Sequence, residues 1–266
     1  MKMHGLGNDF VVLDARAQDL IVTPALAMAL ADRHRGVGFD QLAVIENGRV
    51  GLHLSFYNAD GSTAAACGNA TRCVADHIMS ETGESRLVIY TDRGKLLAED
   101  AGNGQTSVNM GFPLTKWSEI PLAEEMDTLK LPLDGSPTAT GMGNPHCTFF
   151  VENALDWPLE SFGPEIELNP LFPERTNVQI AQIMGPKRVR VRVWERGVGV
   201  TLASGSSSCA VAVAAARRGF TERQVDIELD GGVLNIDWRE DGVWMKGPTT
   251  HVFDGTLTAD FLENLR

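Results

Sequence analysis

Short apolar runs broken by turns rich in Gly, Asn and Asp make up most of the chain, and only a few stretches carry helical spacing. FVVLDA at 10–15, LAVIE at 42–46 and RVGLHLSFYN at 49–58 read as strands, with a helix after Pro24 up to His34. The turn Asn58-Ala59-Asp60-Gly61-Ser62 then leads into TAAACGNATRCVADHIM. That segment is expected to be a turn feeding a helix that starts between Gly68 and Ala70 and runs to Thr82. RLVIYTD, GKLLAED and QTSVNMG follow as strands, so the pattern predicts a mixed sheet around one helix.

The second half repeats this plan. GNPHCTFFVE is a turn and a strand, PLESFGPEIE a short helix, and TNVQIAQIM and RVRVRVWERG are strands. In the last of these, Arg188, Arg190 and Arg192 alternate with valines, so one face is buried and the other carries cations into solvent or toward acids. SGSSSCAVAVAAARR has no charge before Arg217 and must be buried nearly all round. Between the halves, residues 113–137 are rich in Pro and acids, the composition of a crossover, which puts a domain boundary near residue 115. Laying Cys67 on Ser204, 137 residues apart, aligns CGNATRCVA with SGSSSCAVA, a weak internal repeat.

Composition narrows the functions. The 266 residues, 43% hydrophobic and 22% charged, suit one large or two modest globular domains. Lys+Arg 23 against Asp+Glu 35 gives a net charge of −12, a field that repels nucleic-acid backbones and anionic lipid. No run approaches the ~20 apolar residues of a membrane span and MKMHGLGNDF lacks a secretion signal, so a cytoplasmic location is expected. The four cysteines, Cys67, Cys73, Cys147 and Cys209, are too few for a disulfide scaffold and form no C-x-x-C pair. His34, His53, His77 and His251 have no metal-ligand spacing, and no phosphate-binding G-x-x-x-x-G-K-[ST] occurs.

The chemistry concentrates at the two turns. A thiol or hydroxyl just before a helix sits where unsatisfied amides and the positive dipole end converge, which lowers a thiol pKa and makes a carboxylate cradle. Two such turns facing each other across a domain cleft would suit a two-base racemase, one group removing the proton from Cα and the other delivering one to the opposite face. Taken singly, each turn reads first as something commonplace, a small cysteine packed at a helix start and a serine N-cap.

HGLGNDF (4–10), RGVGFDQ (35–41), FYNADGS (56–62), ACGNATRC (66–73), GNPHC (143–147), RTNVQ (175–179) and ERGVGVTLASGS (195–206) together resemble the diaminopimelate epimerase family, in order and over nearly the whole chain. The resemblance implies two similar α/β domains, 1–115 and 116–251, each a mixed, mostly antiparallel sheet curled around a central helix, with 252–266 packing back on the first. It implies a homodimer that interconverts LL- and meso-diaminopimelate, for lysine and peptidoglycan synthesis, with neither pyridoxal phosphate nor metal. Cys67 matches the first catalytic cysteine, and the amides of Gly68, Asn69, Gly205 and Ser206 match the cradle for the reacting carboxylate. Asn8, Gln41, Asn58, Asn144, Asn177, Glu195 and Arg196 match substrate contacts, with Asn58, Asn144, Asn177 and Arg196 reading the distal amino and carboxylate groups. His146 and Glu195 match residues that tune the thiol pKa values.

The chain departs from the family where it matters most: Ser204 stands at the second catalytic cysteine. A serine hydroxyl is far less acidic than a thiol of pKa about 8.5. Ala70 and Ser207 also replace usual glycines, and Val200 an often polar residue; Cys209 lies inside the helix and is no substitute. Three readings follow. The chain is an epimerase in which Ser204 donates a proton directly or through water; or a one-base isomerase or racemase of a related amino acid that uses Cys67 alone; or a catalytically silent amino-acid-binding protein.

Overall fold

The computed structural model describes residues 1–17 and 20–263. The chain divides into two compact units, Met1–Val108 with the segment from Pro248 onward, and Asn109–Gly247.

The first unit comprises β1 (Lys2–Gly5), β2 (Asn8–Asp14), α1 (Pro24–Ala31), β3 (Gln41–Gly48), β4 (Gly51–Asn58), β5 (Thr63–Ala64), α2 (Gly68–Thr82), β6 (Arg86–Thr91), β7 (Gly94–Asp100) and β8 (Gln105–Asn109). β2 pairs parallel with β3 and β4 with β6, while β1–β2, β3–β4, β4–β5, β6–β7 and β7–β8 are antiparallel. α2 packs against β1, β2, β3, β6 and β7, so it is the helix the sheet wraps. Its apolar positions Ala70, Cys73, Val74, Ala75, Ile78 and Met79 are buried, and Gly83 ends it in the left-handed region at φ 74°.

Two boundaries differ from expectation. α1 stops at Ala31, because the Asp32 carboxylate accepts the amides of His34 (2.8 Å) and Arg35 (2.9 Å) and closes a turn where the helix would have continued to His34. The same two bonds hold the Asp32 carboxyl below its usual range. The strand expected over 49–58 begins at Gly51, since Arg49 and Val50 form the tip of a hairpin closed by the pair Gly48 and Gly51.

The second unit has the same order: β9 (Thr138–Gly141), β10 (Pro145–Phe150), α3 (Leu159–Glu167), β11 (Asn177–Gly185), β12 (Arg188–Glu195), β13 (Gly199–Thr201), α4 (Gly205–Arg217), β14 (Gln224–Leu229), β15 (Gly232–Arg239) and β16 (Gly242–Pro248). β10–β11 and β12–β14 are parallel, and β9–β10, β11–β12, β12–β13, β14–β15 and β15–β16 antiparallel, the pattern of the first unit. The 137-residue offset lays β4 (Gly51–Asn58) on β12 (Arg188–Glu195) end to end, so the repeat covers the whole unit and not the two turns alone. Ten of the thirteen α4 residues are buried, as a helix of small and apolar residues with no charge before Arg217 requires.

The Pro- and acid-rich stretch is no loose crossover. Ile120, Leu122 and Leu131 are buried in the second unit's core with Phe149, Ile166, Phe172, Val178 and Ile180, which moves the seam from residue 115 to between Val108 and Asn109. The arginines of β12 find acids and carbonyls, Arg188 from an exposed position and Arg190 and Arg192 from half-buried ones. Arg188 bonds Glu228 at 2.9 Å, Arg190 pairs with Asp230 and reaches the Glu228 carbonyl at 3.0 Å, and Arg192 reaches the Trp157 carbonyl at 2.9 Å.

After β16 the chain returns to the first unit as β17 (Thr250–Phe253), antiparallel to β1, and α5 (Ala259–Glu263). Leu257 and Phe261 pack on the cluster of Val11, Leu26, Leu30, Phe39 and Leu42. Residues 264–266 of the tail expected to pack there lie outside the described residues.

Candidate active site

Cys67 precedes α2 in extended conformation (φ −141°, ψ 107°), and its Sγ accepts the Ala70 amide at 3.5 Å. Its carbonyl takes both the amide and the hydroxyl of Thr71, each at 2.8 Å. The amides of Gly68 and Asn69 therefore have no acceptor within the helix and lie at its positive end, beside a half-buried thiol. Such an end favours a bound anion.

The other candidates of this unit form two pairs. Asn69 Nδ2 donates to Asn8 Oδ1 at 3.1 Å, and Asn8 Nδ2 to the Asp40 carboxylate at 2.9 Å. Asp40 is itself placed by Arg33 at 3.0 Å and by the Asp9 amide at 3.1 Å. Burial works against the neighbouring Asp9 carboxylate, yet hydrogen bonds from Arg33 and Lys2 hold its carboxyl below the usual range. Gln41 and Asn58 face each other across β3–β4, with Gln41 Nε2 donating to Asn58 Oδ1 at 3.0 Å. The Asn58 turn closes through Ser62, whose hydroxyl accepts from Asn58 Nδ2 at 3.0 Å.

Ser204 precedes α4 in nearly the same conformation as Cys67 (φ −140°, ψ 118°). Its carbonyl accepts the amide (3.0 Å) and hydroxyl (2.7 Å) of Ser208, repeating the Thr71 contacts at the same offset. The difference lies in the side chain. The Ser204 hydroxyl makes no cap bond, which leaves the first-turn amides of Gly205, Ser206 and Ser207 without a helix acceptor.

Around this second helix end the polar groups are buried and joined. Thr148 donates to Gln179 Oε1 (3.1 Å), and Gln179 Nε2 meets His146 Nδ1 (2.9 Å) and Ser207 Oγ (3.1 Å). His146 Nε2 lies 2.8 Å from Asn144 Oδ1. Asn177 clamps backbone to backbone: Nδ2 donates to the Pro145 carbonyl (2.9 Å) and Oδ1 accepts the Arg196 amide (3.1 Å). Arg196 Nη1 reaches the Glu174 carbonyl at 2.8 Å, and Glu195 accepts the Thr201 hydroxyl at 2.7 Å.

α3 sets this turn from behind. Glu167, a buried carboxylate, accepts from Trp194 Nε1 (2.7 Å) and the Gly197 amide (3.0 Å). The Trp194 ring lies against Gly163, where a Cβ would come within 2.5 Å of it, so α3 needs glycine at that position.

The remaining cysteines are of another kind. Burial pushes the Cys73 thiol up to about 11 and the fully buried Cys147 thiol higher still, and Cys209 is buried in α4.

A family model described as diaminopimelate epimerase matches residues 1–115 and 138–252. The chain belongs to the diaminopimelate epimerase family. The family's protein from Acidiphilium cryptum (strain JF-5) is 52% identical over 268 residues, covering 98% of this chain and 97% of that one. Its counterpart from Rhodospirillum centenum (strain ATCC 51521 / SW) is 48% identical over 270 residues, covering 98% and 93%. In three dimensions the chain shares its fold with a Bacillus anthracis phenazine biosynthesis protein of the PhzF family. The two agree with a TM-score of 0.66 at 14% identity, over 95% of this chain and 96% of that one.

Of the three departures that the resemblance implies beside Ser204, two have a structural account. Neither Ala70 nor Ser207 has positive φ, so a side chain is admissible at both, and the Ser207 hydroxyl is taken up by Gln179. Val200 sits opposite Trp194 on β13, and nothing in the structure explains it. Reading the sequence missed Arg72, Asp40, Glu167 and Gln179, which bond to candidate residues or their immediate neighbours, and Thr148, which bonds to Gln179. A signal existed for two of them: Arg72 is a cation inside an otherwise small and apolar helix start, and Gln179 an amide in a strand buried at that point.

Proposed function

We propose that the chain interconverts LL- and meso-2,6-diaminopimelate by removing and returning the α-proton, in the synthesis of lysine and peptidoglycan precursors. Its membership of the family supports this, together with one observation above the others: Cys67, the half-buried thiol, caps a helix whose first two amides, of Gly68 and Asn69, have no acceptor within the helix. In this reading the Cys67 thiolate takes the proton from one face of Cα. The electron pair left on carbon delocalises into the α-carboxylate, held by the amides of Gly68, Asn69, Gly205 and Ser206. Ser204, directly or through a water it holds, supplies a proton to the other face. Asn58, Asn144, Asn177 and Arg196 hold the distal ammonium and carboxylate, Asn8 and Gln41 complete the pocket, and His146 and Glu195 tune the acid–base pair.

The same reading makes the protein a cytoplasmic homodimer that acts on a small amino acid and binds neither nucleic acid nor membrane. Its net charge of −12 supports the exclusion of nucleic acid. Among the described residues no helix is long and apolar enough to cross a membrane.

Alkylation tests the assignment of Cys67. Iodoacetamide at neutral pH is expected to modify Cys67 ahead of the three buried cysteines, with loss of activity in step, and saturating diaminopimelate is expected to protect both. Peptide mass mapping reads the site. Inactivation that tracks another cysteine, or modification of Cys67 that substrate leaves unslowed, contradicts the assignment.

A further inference from the structure

We infer that Arg72 and Asp40 are positioning residues for the substrate carboxylate, standing at the two ends of a chain of side-chain amides and fixing which atoms Asn69 and Asn8 offer. Arg72 Nη1 donates to Asn69 Oδ1 at 3.1 Å, Asn69 Nδ2 to Asn8 Oδ1 at 3.1 Å, and Asn8 Nδ2 to Asp40 Oδ2 at 2.9 Å. A guanidinium cannot accept a hydrogen bond and a carboxylate cannot donate one. Turning over the Asn69 amide would set N–H against N–H at Arg72, and turning over Asn8 would set oxygen against the Asp40 carboxylate. Polarity is thus fixed from both ends. The chain Thr148–Gln179–His146–Asn144, by contrast, is built of groups that can each act in either sense.

The anchors are themselves firmly seated. Arg72 is fully buried and also reaches the Pro248 carbonyl at 3.4 Å, and Gly5 stands where a Cβ would come within 2.6 Å of its guanidinium. Asp40 is held by Arg33 and the Asp9 amide. With this polarity each amide oxygen already accepts from a neighbour, whereas each nitrogen keeps one unoccupied N–H. Asn69 is the second residue of α2, so these N–H groups add to the helix-end amides of Gly68 and Asn69. Every group offered there is a donor, and a carboxylate, which only accepts, is the ligand that matches. The inference rests on the proposed role of Asn8 and Asn69 as substrate contacts.

Steady-state kinetics on purified full-length variants, with LL-diaminopimelate, separates the possibilities. Asp40→Asn lets the Asn8 amide turn over, and KM is expected to rise about 10- to 150-fold, the factor a hydrogen bond to a charged group is worth, with kcat much less affected. Arg72→Lys, which keeps a cation, is expected to lie closer to wild type in KM than Arg72→Met. Asn8→Ala serves as the control for the contact itself and is expected to raise KM as Asp40→Asn does. A KM raised by Asn8→Ala but unchanged by Asp40→Asn overturns the positioning role and leaves Asn8 as a contact. A KM unchanged by Asn8→Ala removes Asn8 from the substrate site and the inference with it. A lower melting temperature or kcat at unchanged KM in Asp40→Asn assigns the chain a purely structural role and overturns the inference as well.

Discussion

Replacing Cys67 with alanine lowers α-proton exchange from diaminopimelate by at least about 10²–10⁴-fold, the range that loss of a positioned acid–base group costs. The fold should persist, because the thiol's cap contact with the Ala70 amide is long, 3.5 Å, and the Thr71 contacts go to the Cys67 backbone. The stability cost is that of a weakened N-cap, about 1 kcal/mol. Cys73→Ala provides the comparison: Cys73 is fully buried, with its thiol protonated at neutral pH, so the exchange rate of that variant should follow only its folded fraction. Exchange rates measured by proton NMR, with circular dichroism to confirm folding, check both. Exchange undiminished in Cys67→Ala would remove the thiol from the reaction.

Ser204→Cys is expected to work in the opposite sense, accelerating epimerisation by about 10²–10⁴-fold. The backbone at residue 204 already has the conformation of Cys67, within about ten degrees in ψ, and its hydroxyl makes no cap bond that a thiol would have to break. A thiol of ordinary pKa about 8.5 at a helix N-terminus has an accessible thiolate, whereas an alcohol does not. The gain must appear in both directions, because an enzyme cannot shift the equilibrium between LL and meso isomers. Progress curves from each isomer measure it. If Ser204→Cys folds and speeds neither direction, residue 204 is not where the second proton is handled.

Much of this site was legible from the sequence for a definite reason. Cys67 and Ser204 each precede a run of small residues that can only be a buried helix, so the N-cap positions followed from local chemistry and the 137-residue repeat. What escaped was tertiary. Asp32 looked like a helical residue because nothing local shows that it will accept the amides of His34 and Arg35. Residues 113–137 looked like a linker because Pro and acids dominate the count, whereas three apolar side chains among them decide the packing. The β12 arginines looked solvated or acid-facing, and only the placement of β14 and of the segment before α3 shows which acids and carbonyls receive them. Asp40 and Gln179 belong to networks closed by residues 31 to 33 positions away, a distance at which no spacing rule operates.

The central claim, that Cys67 and the Ser204 position exchange the α-proton on opposite faces, is tested most directly by proton NMR in deuterated water. Pure LL- and pure meso-diaminopimelate are each incubated with the reduced protein, and loss of the α-proton signal and the isomer ratio are followed together. The account predicts that both isomers lose the α-proton signal and that inverted product appears with it, carrying solvent deuterium. Exchange confined to one isomer without inversion would make Cys67 a lone base and contradict the role given to Ser204; no exchange from either would contradict the whole assignment.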